Sequence, residues 1–215
     1  MSKPWVIGVL STDYDLHEYR QEIIETIKKD NIIVSAFELP DFPVEPDVHS
    51  HESCLIALRR TDISLLVIDK RYGGIFYDSS ETSITQKEYL ETVKKGNPAL
   101  VFISKKAWDE RYDYNKQLKY SGKTQNEFDK IYKCSYVENV GVIHFIDTIQ
   151  KSYDRYKSSN WISYYNSISD LKKEVIGKLE GLSRYFLNRV IYEQAKKLES
   201  RKTSTGLSML SLIHI

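Results

Sequence analysis

The segment Ile63–Asp69, Ile-Ser-Leu-Leu-Val-Ile-Asp, restricts the fold more than any other part of this sequence. A strand with one wet face alternates polar and apolar side chains, whereas one covered on both faces reads as an unbroken apolar run. Strands of the second kind belong to parallel sheets whose crossover helices cover both sides.

The rest of the chain supplies the partners. Trp5 to Leu10 is a short apolar run closed by Ser11 and Thr12, and reads as strand one. Leu16, Tyr19, Ile23, Ile24 and Ile27 follow at helical spacing, with Asp13 or Asp15 placed to cap the first turn and Lys28 and Lys29 near the end. Ile32 to Leu39 reads as strand two, and Pro40, Pro43 and Pro46 make the next segment a loop. A helix is expected from Ser50 to Arg60 with Cys54, Leu55 and Leu58 inward, then strand three at Ile63–Asp69 and a turn at Arg71 to Gly74. Ser83 can cap a helix that runs to Lys95 and stops at Gly96. Pro98 to Ser104 reads as strand four, and Lys105 to Asn126 as a polar, tyrosine-rich loop. Val140 to Tyr156 reads as one long helix and Trp161 to Tyr165 as strand five. Ser169 or Asp170 opens a last helix carrying Leu171, Val175, Ile176 and Leu179; Gly181 is a candidate interruption, and Leu182 to Leu198 continue the helical pattern.

This alternation predicts an α/β fold: an open, parallel, five-stranded, flavodoxin-like sheet of order 2-1-3-4-5 with helices on both faces. In that order the chain reverses direction between strands one and three, and ligands bind outside the carboxyl ends of the strands at that point. The crevice falls between Ser11, Thr12 and Asp13 on one side and Lys70 to Gly74 on the other.

A length of 215 residues suits one domain with an appended segment. The net charge of +1 gives no bulk attraction to nucleic acid or to an acidic membrane surface. Cys54 and Cys134 are far apart and do not call for an oxidising compartment. Met1 to Leu10 lacks the length and cleavage site of a signal peptide, and no stretch approaches the roughly 20 apolar residues of a membrane span. A cytoplasmic protein is expected. The final residues, Leu210 to Ile215, are those encoded by CTG TCT CTT ATA CAC ATC, a transposon end used in DNA-library preparation. The last six residues are therefore expected to be sequencing adapter, with the gene continuing beyond them.

Two segments together carry a family resemblance. The first is Ser11, Thr12, Asp15, Leu16 and Arg20. The second is Arg71, Tyr72 and Gly73, followed by Thr85, Glu88 and Tyr89 and then Lys95, Gly96 and Pro98; Trp161 to Leu179 matches as a final strand and helix. The chain resembles domain of unknown function four-zero-six-two, a TIR-like module, over Pro4 to Leu182, with a divergent middle. It departs from the family pattern at Leu10, Asp13 and Tyr19, beside the crevice. The resemblance implies a TIR-like domain over 1–182, a helical connector over 183–202 and a disordered tail over 203–215. It also implies an N-terminal module of a larger protein, some of whose relatives act in antiviral defence. Related TIR domains cleave NAD at the nicotinamide–ribose bond with one glutamate on the helix after strand three, while others only bind further TIR domains. Two functions follow as expectations. One is hydrolysis of the N-glycosidic bond of NAD or a related nucleotide, with NAD as substrate and no resident cofactor. The other is a non-enzymatic module that self-associates through the full-length protein.

By this resemblance Glu88 is the candidate catalytic carboxylate. Breaking an N-glycosidic bond builds positive charge on the ribose, which a nearby carboxylate can stabilise. Arg71 suits a phosphate through two parallel hydrogen bonds, Gly73 a close backbone approach, and Ser11 and Thr12 a ligand hydroxyl. Asp13 and Tyr72 complete the expected ligand-binding set. Asp47, His49, His51, Glu52 and Cys54 superficially suggest a metal site, but their helical spacing makes His51 and Glu52 diverge, and no metal is expected. Ser121, Gly122, Lys123 and Thr124 mimic the end of a phosphate-binding loop, yet Gln117 stands where that motif needs glycine. Lys105 to Lys133 mixes lysines with Tyr112, Tyr114, Tyr120 and Tyr132, but interleaved acids argue for a surface insertion over a nucleic-acid interface.

Overall fold

The computed structural model describes residues 4–28, 31–156 and 161–210. Its elements are β1 (Trp5–Leu10), α1 (His17–Ile27), β2 (Ile32–Ser35), α2 (Ser50–Leu58), β3 (Ile63–Ile68), α3 (Ile84–Lys95), β4 (Ala99–Ser104), α4 (Lys105–Ser121), α5 (Gln125–Asp129), α6 (Val140–Gln150), α7 (Ser152–Tyr156), β5 (Ile162–Tyr165) and α8 (Ile168–Leu210). The strands form one open, wholly parallel sheet of order β2-β1-β3-β4-β5, as the alternation predicted.

Register explains the layering. Leu10, Leu66, Val101 and Ile162 stand abreast across four strands. The first three belong to a core shared with Leu55 and Leu58 of α2, Tyr89 and Val93 of α3, and Ile143, Ile146 and Ile149 of α6, with Ile162 packed against it. The alternate residues Ile7, Val9, Ile63, Leu65, Val67 and Phe102 are also buried, as are Ile23, Ile24 and Ile27 of α1. The crossover from β1 leads one way along the sheet and that from β3 the other, so right-handed connections place α1 and α3 on opposite faces. Every residue of β3 is buried, which is why its sequence shows no alternation.

The chain divides into two compact units, Met1–Glu174 and Val175–Ile215. In the first, Lys172 of α8 pairs with Glu22 of α1 at 2.6 Å. In the second, α8 presents Tyr185, Leu187, Val190, Ile191 and Tyr192 as exposed side chains. It runs through Gly181 without a break, since one interior glycine costs a helix only about 1 kcal/mol. The helix extends to Leu210, into the segment read as a tail, and residues 211–215, which hold most of the expected adapter sequence, lie outside the described residues.

Several boundaries differ from expectation for identifiable reasons. The expected loop at Lys105 to Asn126 is mostly helix α4, capped by the Ser104 hydroxyl and ended by Gly122 at φ 66°. Its inward stripe includes the carboxylate of Glu110 beside Ala107 and Tyr114, so it does not read as apolar. Glu110 accepts the backbone N–H groups of Ser135, Tyr136 (2.8 Å) and Val137 (2.6 Å), organising the connection ahead of α6. Thr124 and Glu127 form a capping box for α5, which accounts for the residues that mimic a phosphate loop. The expected helix from Val140 to Tyr156 is two helices meeting at Lys151. Strand two ends at Ser35 because the chain turns, with the Leu39 N–H bonded to the Ala36 carbonyl at 3.0 Å. Neither Asp13 nor Asp15 caps α1: Asp13 lies 3.1 Å from His17, and Asp15 accepts the Thr12 hydroxyl at 2.6 Å.

Candidate functional site

A cavity of about 900 Å³ opens at the carboxyl ends of β1 and β3. Its size is near the upper end of small-molecule sites and has room for a dinucleotide. Ser11, Thr12, Asp13, Arg71, Gly73 and Glu88 all line it. Tyr72 is not among the lining residues. Its hydroxyl lies 2.6 Å from both the Glu81 carbonyl and Gln86 Oε1, and its N–H donates to Glu138 at 2.9 Å. Tyr72 thus pins the turn to the start of α3.

The β1 and β3 loops touch where glycine permits it. Gly73 has φ +83°, and a Cβ there would lie 2.8 Å from Thr12 Cγ2. Gly73→Ala is expected to destabilise the fold by at least about 1–2 kcal/mol from backbone conformation alone. Urea unfolding measures this, and an unchanged midpoint would refute the close approach. Arg71 stacks over the Tyr14 ring at 4.3 Å and lies 4.0 Å from Glu138. That pairing is long enough to leave its planar donors available to a ligand.

The floor contains a charge network that the sequence did not single out as a site. Arg20 is 1% exposed. Its guanidinium forks onto Glu38 at 2.7 and 2.6 Å and donates to the Ser11 hydroxyl at 2.8 Å and the Ser11 and Val9 carbonyls at 3.3 Å. Ser11 is therefore largely engaged in holding Arg20, and Asp13 lies 4.0 Å from the same guanidinium. Glu38 sits past β2, beyond any local pattern linking it to Arg20.

The roof comes from the proline-rich segment after β2 and from α2. Phe37, Phe42, Val44, Pro46 and Val48 make it largely apolar. His51 and Cys54 also line the cavity. His51 Nδ1 accepts the Tyr77 N–H at 3.0 Å, and His49 Nδ1 accepts the His51 N–H at 3.1 Å. Both rings thus serve local hydrogen bonds, and no metal-ligating cluster of three or more appears among the described residues. Burial pushes the Cys54 thiol up to about 11, with Glu88 adding to the shift, so it is a protonated wall residue near neutrality.

Glu88 projects from the first half of α3 into this space. No hydrogen bond or ion pair to its carboxylate occurs among the described residues. Burial raises its pKa from 4.5 to about 7, with the positive charge of Arg20 pulling the other way. Its side chain keeps some exposure because one side faces the cavity. The pH consequence has a definite sign. The folded state holds this proton more tightly than the unfolded state, so the contribution to stability is full below about pH 4.5 and is lost as pH rises through about 7. Glu88→Gln should remove that component, which urea midpoints at pH 5 and pH 8 for both proteins would show. An unaltered pH dependence in the variant would contradict the assigned environment.

A comparison with protein-family models matches residues 9–180 to a family described as Domain of unknown function (DUF4062). The chain belongs to that family. The match covers every strand's contribution to the cavity and ends within α8, so the crevice lies inside the matched region. Searches of curated proteins and of solved structures found no match. Among the described residues of this DUF4062 chain, no helix is long and apolar enough to cross a membrane.

Proposed function

We propose that the chain is a TIR-like module, acting in the cytoplasm as the N-terminal part of a larger defence or signalling protein, that hydrolyses the N-glycosidic bond of NAD or a related nucleotide. The observation that carries this reading is Glu88: a carboxylate without a protein partner among the described residues, desolvated, inside a dinucleotide-sized cavity at the sheet's switch point. A desolvated carboxylate stabilises a developing oxocarbenium charge more strongly than one in water. Arg71, with its planar donors beside the opening, suits the pyrophosphate. The apolar segment from Phe37 to Val48 suits a flat base and excludes bulk water. NAD enters as substrate, and the chemistry requires no bound cofactor.

The test is nicotinamide release from NAD, followed chromatographically, with the chain artificially clustered so that any need for assembly is met. A clustered protein that leaves NAD intact would remove NAD as the substrate. One observation favours a second reading, a self-associating interaction module: α8 exposes Tyr185, Leu187, Val190, Ile191 and Tyr192 within two turns. Sedimentation analysis with and without residues 183–202 separates this reading from the first.

A further inference from the structure

Thr85 sits in the first turn of α3, one turn before Glu88, and lines the same cavity. It is 7% exposed. A helical threonine ordinarily satisfies its hydroxyl by bonding to a carbonyl three or four residues earlier. Here neither carbonyl accepts it: the Glu81 carbonyl takes the Tyr72 hydroxyl at 2.6 Å, and the Thr82 carbonyl takes the Phe76 N–H at 2.9 Å. No group among the described residues hydrogen-bonds to Thr85 Oγ1. The hydroxyl lies 4.0 Å from the point where a Cβ on Gly73 would stand, so the missing side chain of Gly73 leaves the space in front of it open.

The Thr85 hydroxyl has no protein partner among the described residues and lines the open cavity, so water or a ligand must supply its hydrogen bonds. Glu88, one turn further along the same face, is likewise unmatched. Two polar groups at i and i+3 stand about one helical turn apart, roughly 5–6 Å between their Cβ atoms. One is acceptor-only when ionised, and the other both donates and accepts. A ligand carrying two adjacent hydroxyls satisfies both at once: one O–H donates to the carboxylate, and the neighbouring oxygen exchanges a hydrogen bond with the threonine.

We infer that Thr85 is a ligand-binding residue that, with Glu88, grips the vicinal hydroxyls of a ribosyl group, so that the site selects ribosyl over 2′-deoxyribosyl ligands. This inference rests on the nucleotide reading of the cavity and specifies which part of the nucleotide meets α3. Arg71 and the β1–β3 loops are left to the phosphates.

The experiment is calorimetric titration of the full 215-residue chain with ADP-ribose and with its 2′-deoxyribose analogue, for wild type, Thr85→Val and Thr85→Ser. Valine keeps the branched shape and removes the hydroxyl; serine keeps the hydroxyl. Wild type should bind ADP-ribose more tightly than the deoxy analogue. Thr85→Val should weaken ADP-ribose binding by about threefold to tenfold, narrowing or abolishing that preference, and Thr85→Ser should restore it. Without ligand, Thr85→Val should melt no lower than wild type, because it replaces an unmatched hydroxyl by a methyl group. ADP-ribose binding that is equal in wild type and Thr85→Val overturns the assignment while leaving the nucleotide reading in place. A wild type that does not bind ADP-ribose overturns both. A Thr85→Val variant that melts clearly lower without ligand also overturns it, because the hydroxyl then has a partner within the fold.

Discussion

Glu88→Gln is expected to lower nicotinamide release by about a hundredfold to a thousandfold, the usual consequence of removing one well-placed electrostatic group from an active site. Glutamine keeps the length and the hydrogen-bonding capacity of the side chain and removes only the negative charge. The fold should persist, since Glu88 carries no structural hydrogen bond among the described residues and α3 is held instead by Tyr89, Thr92 and Val93. Circular dichroism and the urea midpoint check that persistence directly. The pH dependence adds a second signature. A pKa near 7 means that the ionised form, which under the proposed hydrolysis would stabilise the ribosyl cation, gains population as pH rises through neutrality. The wild-type rate should therefore climb across that range and the residual rate of Glu88→Gln should not. Release that persists at the wild-type level in the variant removes Glu88 from the chemistry.

The sheet was legible because its cause is local. A strand buried on both faces must be apolar throughout, and Ile63–Ile68 is, apart from Ser64, whose hydroxyl lies 3.3 Å from that of Thr92 on α3. Strand order followed from that constraint and the alternation, and the crevice followed from the order. Elements whose inward faces are polar were not legible. Helix α4 hides because Glu110 occupies its core stripe, serving backbone groups some 25 residues away that no window of sequence connects to it. At the site the same division holds. Ser11, Thr12, Asp13, Arg71 and Gly73 meet around the cavity because strand ends bring them there, and Glu88 joins them from α3, the helix that follows β3. Tyr72 turns away because alternate residues of an extended turn point in opposite directions, and its hydroxyl is held at the start of α3. In the roof from Phe37 to Val48, the residues up to Leu39 read as the end of strand two and Pro40 to Pro46 as a plain loop; apolar residues among three prolines were the available clue. Glu38 and Glu138 reach the site from remote segments, and nothing local marks them.

Arg20 gives the largest expected loss of stability. Its side chain is 1% exposed and that of Glu38 18%, with a bidentate geometry at 2.6–2.7 Å. Removing one member of a buried pair leaves the other desolvated and unpaired, which costs about 3–5 kcal/mol in enclosed sites. Glu38 keeps partial access to water, so Arg20→Met should fall near the lower end, about 3 kcal/mol. The Ser11 hydroxyl and the Val9 carbonyl lose a donor in the same step. Arg20→Lys should recover only part of this, because an ammonium cannot fork onto a carboxylate while also reaching the end of β1. Glu38→Gln in the Arg20→Met background should restore stability relative to Arg20→Met alone by removing the stranded charge. Urea unfolding of wild type, Arg20→Met, Glu38→Gln and the double variant gives the coupling directly. A loss below about 1 kcal/mol for Arg20→Met would show that the pair is solvated and contributes little. The same substitution reaches the chemistry through charge. Arg20 holds the pKa of Glu88 down against desolvation, so without it the carboxylate should ionise at still higher pH. In a folded Arg20→Met protein the rise of activity with pH should move to the alkaline side. A profile that moves to the acid side would show that the guanidinium does not act on Glu88 as a nearby positive charge.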